Sequence, residues 1–297
     1  MSKPLEKCLF RHLQMQQDEV LQSFANEINA KLNNSVVGIV FYGSCMRSRN
    51  YKDAMLDFYV IVDQYRHAYS KYWYRIANNV LPPNVFFIQT KVNGCEYRAK
   101  YAVMSEKGLL AGVEKAFHSY FWARFTQPIS YIYARDEDFK IWLASIQSKA
   151  AQSFFSDVIS NFEGTPTSEV FWVKGLQLTY ASELRAEAKA RAALIYKNDD
   201  KFYNDVYSVL IAESHVNKKN KYLLHVKWKV RILFGKMLSV LRLMKATTTF
   251  VGGVDYIAWK ISRHSGEPIV VSEKMRKHPW IYCWPAIFKL IIQGKIR

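Results

Sequence analysis

Two strand-like runs, a glycine–serine turn and a single carboxylate constrain this chain more than anything else in it. Val36-Val37-Gly38-Ile39-Val40-Phe41-Tyr42 closes on Gly43-Ser44, and Met55-Leu56-Asp57-Phe58-Tyr59-Val60-Ile61-Val62 follows. Both runs have the length and the β-branched, aromatic composition of buried strands. Glycine allows a turn that brings backbone N–H groups close to a phosphate. A carboxylate near the start of an apolar strand is costly to bury unless it is paired or binds a metal. Alone, the Gly-Ser pair reads as a structural turn, and a solvated strand end is the alternative for Asp57. In this order and spacing they describe a site for phosphate and a divalent ion.

Composition narrows the partners. The net charge of +17 calls for anionic ones: nucleotide phosphates, and with them nucleic acid or an acidic membrane surface. The 297 residues, half of them apolar, are enough for two cored units. Four widely spaced cysteines, Cys8, Cys45, Cys95 and Cys283, offer neither a zinc motif nor a disulfide framework and fit a reducing compartment. No run reaches the ~18–20 apolar residues that span a bilayer. The first residues lack the apolar core of a signal peptide, and their acidic side chain argues against a transit peptide. The expectation is a soluble or peripheral protein.

Periodicity predicts a helix over 5–32, strands at 36–42 and 56–62, and two more at 84–91 and 97–104 joined by an Asn93-Gly94 hairpin turn. A helix over 106–124 and a short apolar run at 129–134 complete a mixed sheet. Helices follow at 138–162, 168–196, 201–215 and 221–246. The last carries Lys227, Lys229, Arg231, Lys236, Arg242 and Lys245, which read as a membrane-facing surface or as a solvated face. The fold class is therefore α+β: a mixed-sheet domain over 1–138, a helical domain over 139–273 that completes the cleft, and a basic amphipathic tail over 274–297. In that tail Lys274, Arg276 and Lys277 accompany Trp280, Trp284 and Phe288, a composition suited to a membrane interface. Pro285 and Lys289 interrupt it too much to cross. An amphipathic helix docked on the protein is the alternative.

The turn and the acid resemble the polymerase-β-like nucleotidyltransferases, with one departure. Those proteins carry two carboxylates in a D-x-D pattern on one strand face, and here the second position is Tyr59; Asp63 lies about 20 Å further along a strand. Phe41-Tyr42-Gly43-Ser44 with Ala54-Met55-Leu56-Asp57-Phe58 is more closely similar to the mitochondrial translocator-assembly-and-maintenance family of phosphatidate cytidylyltransferases, which has a Y-G-S turn and an M-L-D-F strand with an aromatic at the second position. The likeness continues through Val62-Asp63, His67 and Tyr69-Ser70. It resumes at Lys100-Tyr101-Ala102-Val103-Met104-Ser105 against K-Y-G-V-I-S, at Phe121-Trp122-Ala123-Arg124 and Gln127-Pro128-Ile129 against L-A-G-R and K-P-V, and more faintly at Gly175-Leu176 and Tyr180 to Arg185 against G-L and Y-S-G-D-x-R. It spans roughly residues 36–186. Glu183 stands for an aspartate, and Ala102 and Ala123 for glycines.

The resemblance implies a nucleotidyltransferase-type sheet and attack of phosphatidate on the α-phosphate of CTP, giving CDP-diacylglycerol and pyrophosphate with Mg²⁺ bound. It implies that Gly43 and Ser44, beside Tyr42, hold the nucleotide phosphates together with Ser182 and Arg185. Asp57 would ligate the metal, with Glu183 or another downstream acid as second ligand. Lys100 and Arg124 would meet triphosphate or lipid phosphate; as isolated residues, each reads equally as a surface cation. His67 could serve as a base but reads better as a solvated loop histidine. The expected partners are CTP, phosphatidate and an anionic phospholipid surface, with no stable nucleic-acid partner. The expected location is the cytoplasmic face of a membrane, as for a bacterial relative. Two alternatives stand beside it: a nucleotidyltransferase acting on nucleic acid, and a non-catalytic basic membrane-binding protein.

Overall fold

Strand order in the central sheet is β3-β4-β2-β1-β5, built from β1 (Val36–Tyr42), β2 (Met55–Val62), β3 (Asn84–Val92), β4 (Cys95–Ser105) and β5 (Ser130–Ala134). The structure is a computed structural model that describes residues 3–52, 54–184, 188–213, 221–249 and 271–277. β1 runs antiparallel to both β2 and β5, β2 runs parallel to β4, and β3 pairs antiparallel with β4. The sheet is thus mixed, as the sequence predicts. Asn93 and Gly94 take φ of 50° and 77°, the positive values that a tight two-residue hairpin needs.

Alternation along β2 sorts its side chains onto the two faces. Leu56, Phe58, Val60 and Val62 join Val20, Leu21, Phe24 and Ile28 of α2 (Glu19–Lys31) in one core. Tyr59 and Ile61 join the other, with α1 (Pro4–His12), α6 (Glu106–Glu114), α7 (Trp122–Phe125) and α8 (Asp138–Val158). This second core runs on through Phe154, Phe171 and Trp172 to Tyr203 and Trp228, so it binds the sheet to α9 (Ser168–Ala181), α11 (Asp200–Glu213) and α12 (Lys221–Thr249). Each fully buried aromatic or aliphatic side chain there contributes about 2 kcal/mol.

Three predicted helices are broken. The 5–32 helix stops at His12, because Gln14 and Gln16 pair with the backbone of Tyr131 at the edge of β5. Asp18 then caps α2 by accepting from the Val20 N–H at 2.9 Å. The 106–124 helix ends at Glu114 and resumes only as α7; the 168–196 helix ends at Ala181, and α10 (Ala188–Asn198) follows. Short helices α3 (Ser44–Ser48), α4 (Tyr65–Ala68) and α5 (Tyr72–Val80) were not legible as periodic runs.

The basic helix is corrected most. In α12, Arg231 and Lys245 are buried, at 2% and 4% exposure, while Leu223, Val226, Val230, Leu233 and Met237 are exposed. Arg231 Nη2 sits 2.7 Å from Asp157 Oδ2, and Lys227 bonds the other oxygen of that carboxylate. Lys245 donates to the carbonyls of Ala77, Leu81 and Pro83. Arg231 and Lys245 therefore present neither a membrane-facing nor a solvated surface, whereas Lys229 is exposed and Lys227 partly so. Among the described residues no helix is long and apolar enough to cross a membrane.

Candidate functional site

Strand register puts three of the predicted residues in one row. Tyr42 on β1 pairs with Asp57 on β2, which pairs with Lys100 on β4. Lys100 Nζ lies 2.9 Å from Asp57 Oδ1. That oxygen is buried, while the Asp57 side chain as a whole keeps 22% exposure. The carboxylate therefore opens on its other side.

Gly43 lies on that side. Its φ of 91° and ψ of −164° belong to glycine, and a Cβ placed on it would stand 3.1 Å from Asp57 Oδ2. The bare turn and the acid thus face one another, with Ser44 exposed at the start of α3. What the arrangement can do is hold phosphate oxygens at a turn beside one carboxylate and one lysine.

Tyr59 fills the position of the second carboxylate. It is 1% exposed and packs between the rings of Tyr42 and Phe125, at centroid distances of 4.9 and 5.1 Å. Burial, then Tyr120, raises its pKa well above the usual phenol value, so it stays neutral.

Beyond Tyr59 lies a group of cations. Arg124 Nη2 is 2.8 Å from Glu183 Oε1, and its Nη1 donates to the Tyr120 carbonyl at 2.8 Å. Burial alone would lower the pKa of Arg124, but the Glu183 carboxylate, then Tyr120, Tyr59 and Tyr42, carry it well above an ordinary arginine. Its guanidinium lies 3.7 Å from the centre of the Tyr120 ring. Arg242 of α12 lies 4.0 Å from the same centre and donates from Nε to the Pro82 carbonyl at 2.8 Å. Burial, then Arg242, Arg124 and Arg231, pushes the His118 pKa down to about 4, and burial with Arg242 pushes that of Lys245 down to about 7.

The other predicted residues fall elsewhere. Ser182 is buried, 2.8 Å from Ser119 Oγ, and donates to the Thr179 carbonyl, so its hydroxyl is packed between α9 and α12 instead of facing a nucleotide. His67 is exposed and holds Asp63 Oδ2 at 2.7 Å from Nδ1, as a solvated histidine does. Lys274 is exposed on a short helix, Glu273–Lys277, that also carries Arg276 and Lys277 and docks Met275 on Met244 of α12. Arg185, Trp280, Trp284 and Phe288 lie outside the described residues.

Among the described residues no group of three His, Cys, Asp or Glu side chains is arranged to hold a metal. Glu183 is committed at Oε1 to Arg124, which leaves Asp57 as the carboxylate facing the turn. One or two protein carboxylates, completed by substrate phosphates and water, are what Mg²⁺ takes in phosphate chemistry. The donor set fits an ion that arrives with a nucleotide.

No family model matches the chain, and no curated protein does. A crystal structure of a nucleotidyltransferase-like protein from Exiguobacterium sibiricum 255-15 is similar over 93% of this chain and 92% of that one, at 10% identity and a TM-score of 0.25. That likeness is distant. It carries no weight for the fold or the function of this chain.

Proposed function

We propose that the chain transfers a nucleotidyl group from a nucleoside triphosphate to a phosphate-bearing lipid, with CTP as donor and phosphatidate as acceptor, giving CDP-diacylglycerol and pyrophosphate. One observation carries the reading: the Asp57 carboxylate is seated between the bare Gly43 turn and the Lys100 ammonium. Gly43 and Ser44 hold the β- and γ-phosphates, Lys100 neutralises charge on them, and Asp57 keeps the nucleotide's divalent ion in place. Transfer of this kind needs positioning and charge neutralisation more than covalent help. Mg²⁺, when bound, supplies further neutralisation of the triphosphate. The choice of CTP and phosphatidate rests on the resemblance through Phe41 to Ser44, Ala54 to Phe58 and Lys100 to Ser105. The tail, with Lys274, Arg276, Lys277, Trp280, Trp284 and Phe288, meets an anionic phospholipid surface on the cytoplasmic face.

The test uses full-length protein, Mg²⁺, labelled CTP and phosphatidate vesicles, beside Asp57→Asn and a transfer-RNA acceptor. Label in the lipid phase that disappears in the variant is the expected result. Equal label in both proteins removes Asp57 from the mechanism, and label in the RNA alone replaces the lipid acceptor.

A further inference from the structure

Tyr120 has two guanidiniums against its ring. The guanidinium carbons of Arg124 and Arg242 lie 3.7 and 4.0 Å from its ring centre, within cation–π range. Their remaining bonds differ. Arg124 is committed to Glu183 and to the Tyr120 carbonyl. Arg242 gives Nε to Pro82, and its two terminal amino groups make no hydrogen bond or ion pair among the described residues. Glu183, the carboxylate that acts on both arginines, is held by Arg124. Lys245, three residues beyond Arg242, is clamped by the carbonyls of Ala77 and Pro83 and fixes the helix that presents Arg242. The stack is thus a rigid, partly buried site with positive charge in excess and a forked donor to spare. It adjoins the Asp57 row, because Tyr59 and Tyr42 lie in the field of Arg124.

We propose that Arg242, beside the Tyr120 ring that Arg124 also contacts, binds the ionised phosphate monoester of the acceptor. This rests on the nucleotidyl-transfer reading above and gives it an acceptor subsite. A hydroxyl acceptor must lose a proton, whereas a phosphate monoester is already ionised at neutral pH and attacks without a base. Its oxygen forms the new bond to the α-phosphorus. The bond from that phosphorus to the bridging oxygen breaks, and pyrophosphate leaves with the electron pair; no proton moves. A second carboxylate at position 59 would repel such a nucleophile, and Tyr59 removes that charge.

Titration calorimetry tests this, with the acceptor titrations run without nucleotide or metal and Mg²⁺–CTP titrated separately. Full-length wild type, Arg242→Gln and Arg242→Lys are titrated with water-soluble dihexanoyl phosphatidate, glycerol 3-phosphate, inorganic phosphate and dihexanoyl phosphatidylcholine. Wild type is expected to bind the phosphatidate and not the choline diester. Both variants are expected to bind phosphatidate about 10- to 100-fold more weakly, the loss of a charge-assisted pair, with Mg²⁺–CTP binding unchanged. Binding of phosphatidate alone assigns the ligand to lipid; binding of glycerol 3-phosphate or inorganic phosphate as well assigns it to the phosphate group itself. Equal wild-type affinity for monoester and diester overturns the proposal, as does unchanged phosphatidate affinity in a folded Arg242→Gln protein. If neither variant folds, the monoester–diester comparison on wild type decides. Phosphate binding that survives while no label enters lipid separates failure of the transfer reading from failure of this site.

Discussion

Gly43 and Asp57 face each other across the end of β1, so closely that a Cβ on Gly43 would stand 3.1 Å from Asp57 Oδ2 and the carboxylate would have to give way slightly. The backbone there, at φ 91° and ψ −164°, is closed to alanine without strain of about 1–3 kcal/mol. Gly43→Ala therefore strains the turn and pushes on the carboxylate together. Its melting temperature is expected to fall by about 5 °C and its affinity for Mg²⁺–CTP to drop. An alanine variant that melts with wild type would mean the turn does not hold this geometry.

Lys100 and Asp57 keep 30% and 22% side-chain exposure, enough water for their mutual stabilisation to be modest. A double-mutant cycle with Asp57→Asn and Lys100→Met, read by urea unfolding, is expected to give a coupling of about 1 kcal/mol or less. Transfer activity is expected to vanish in all three variants. A coupling of zero with activity intact in Lys100→Met would separate the lysine from the site.

The sheet and half of the site were legible because both are local. Buried strands are unbroken apolar runs, Asn93-Gly94 marks its own hairpin, and register then delivers Tyr42, Asp57 and Lys100 to one row. The break between α1 and α2 was not legible, since what ends α1 is Tyr131, more than a hundred residues away. The α12 pattern points the wrong way: Leu223, Val226, Val230, Leu233 and Met237 have the spacing of a core-facing stripe, yet they are exposed. The inward face is instead set by groups from other segments, Asp157 for Arg231 and the Ala77 and Pro83 carbonyls for Lys245. Tyr120 and Arg242 meet only because of that inversion, and no spacing in the sequence announces it.

Arg124 and Glu183 are a mostly buried pair, at 15% and 12% side-chain exposure. Removing one partner strands the other charge. Glu183→Gln is expected to cost about 3 kcal/mol in urea unfolding, and Glu183→Gln with Arg124→Met to cost less than that. A Glu183→Gln protein of unchanged stability but weakened Mg²⁺–CTP affinity would instead give that carboxylate to the ion.

His118 makes stability depend on pH. Burial, aided by Arg242, Arg124 and Arg231, holds it near pKa 4, against about 6.5 in an unfolded chain. Between these values the unfolded state binds a proton that the folded state refuses. Stability contributed by the neutral imidazole is therefore present above about pH 6.5 and lost as pH falls toward 4, about 3 kcal/mol at full titration. His118→Gln is expected to flatten this part of the melting-temperature profile. Parallel profiles for the two proteins between those pH values would remove His118 as the cause.

α12 crosses α9 at Gly235, where a Cβ would meet the Ser182 carbonyl oxygen at 2.7 Å and the Ser182 Cβ at 2.8 Å. In an open helix Gly→Ala gains about 1 kcal/mol. Here the methyl meets backbone that cannot swing aside, so the sign reverses and Gly235→Ala is expected to cost about 1–3 kcal/mol. Arg242 lies about two turns further along the same helix. Lifting α12 from α9 draws its guanidinium away from Tyr120, so phosphatidate affinity should fall with the unfolding midpoint. A Gly235→Ala protein more stable than wild type would put α12 somewhere other than against Ser182, and the stacked arginine with it.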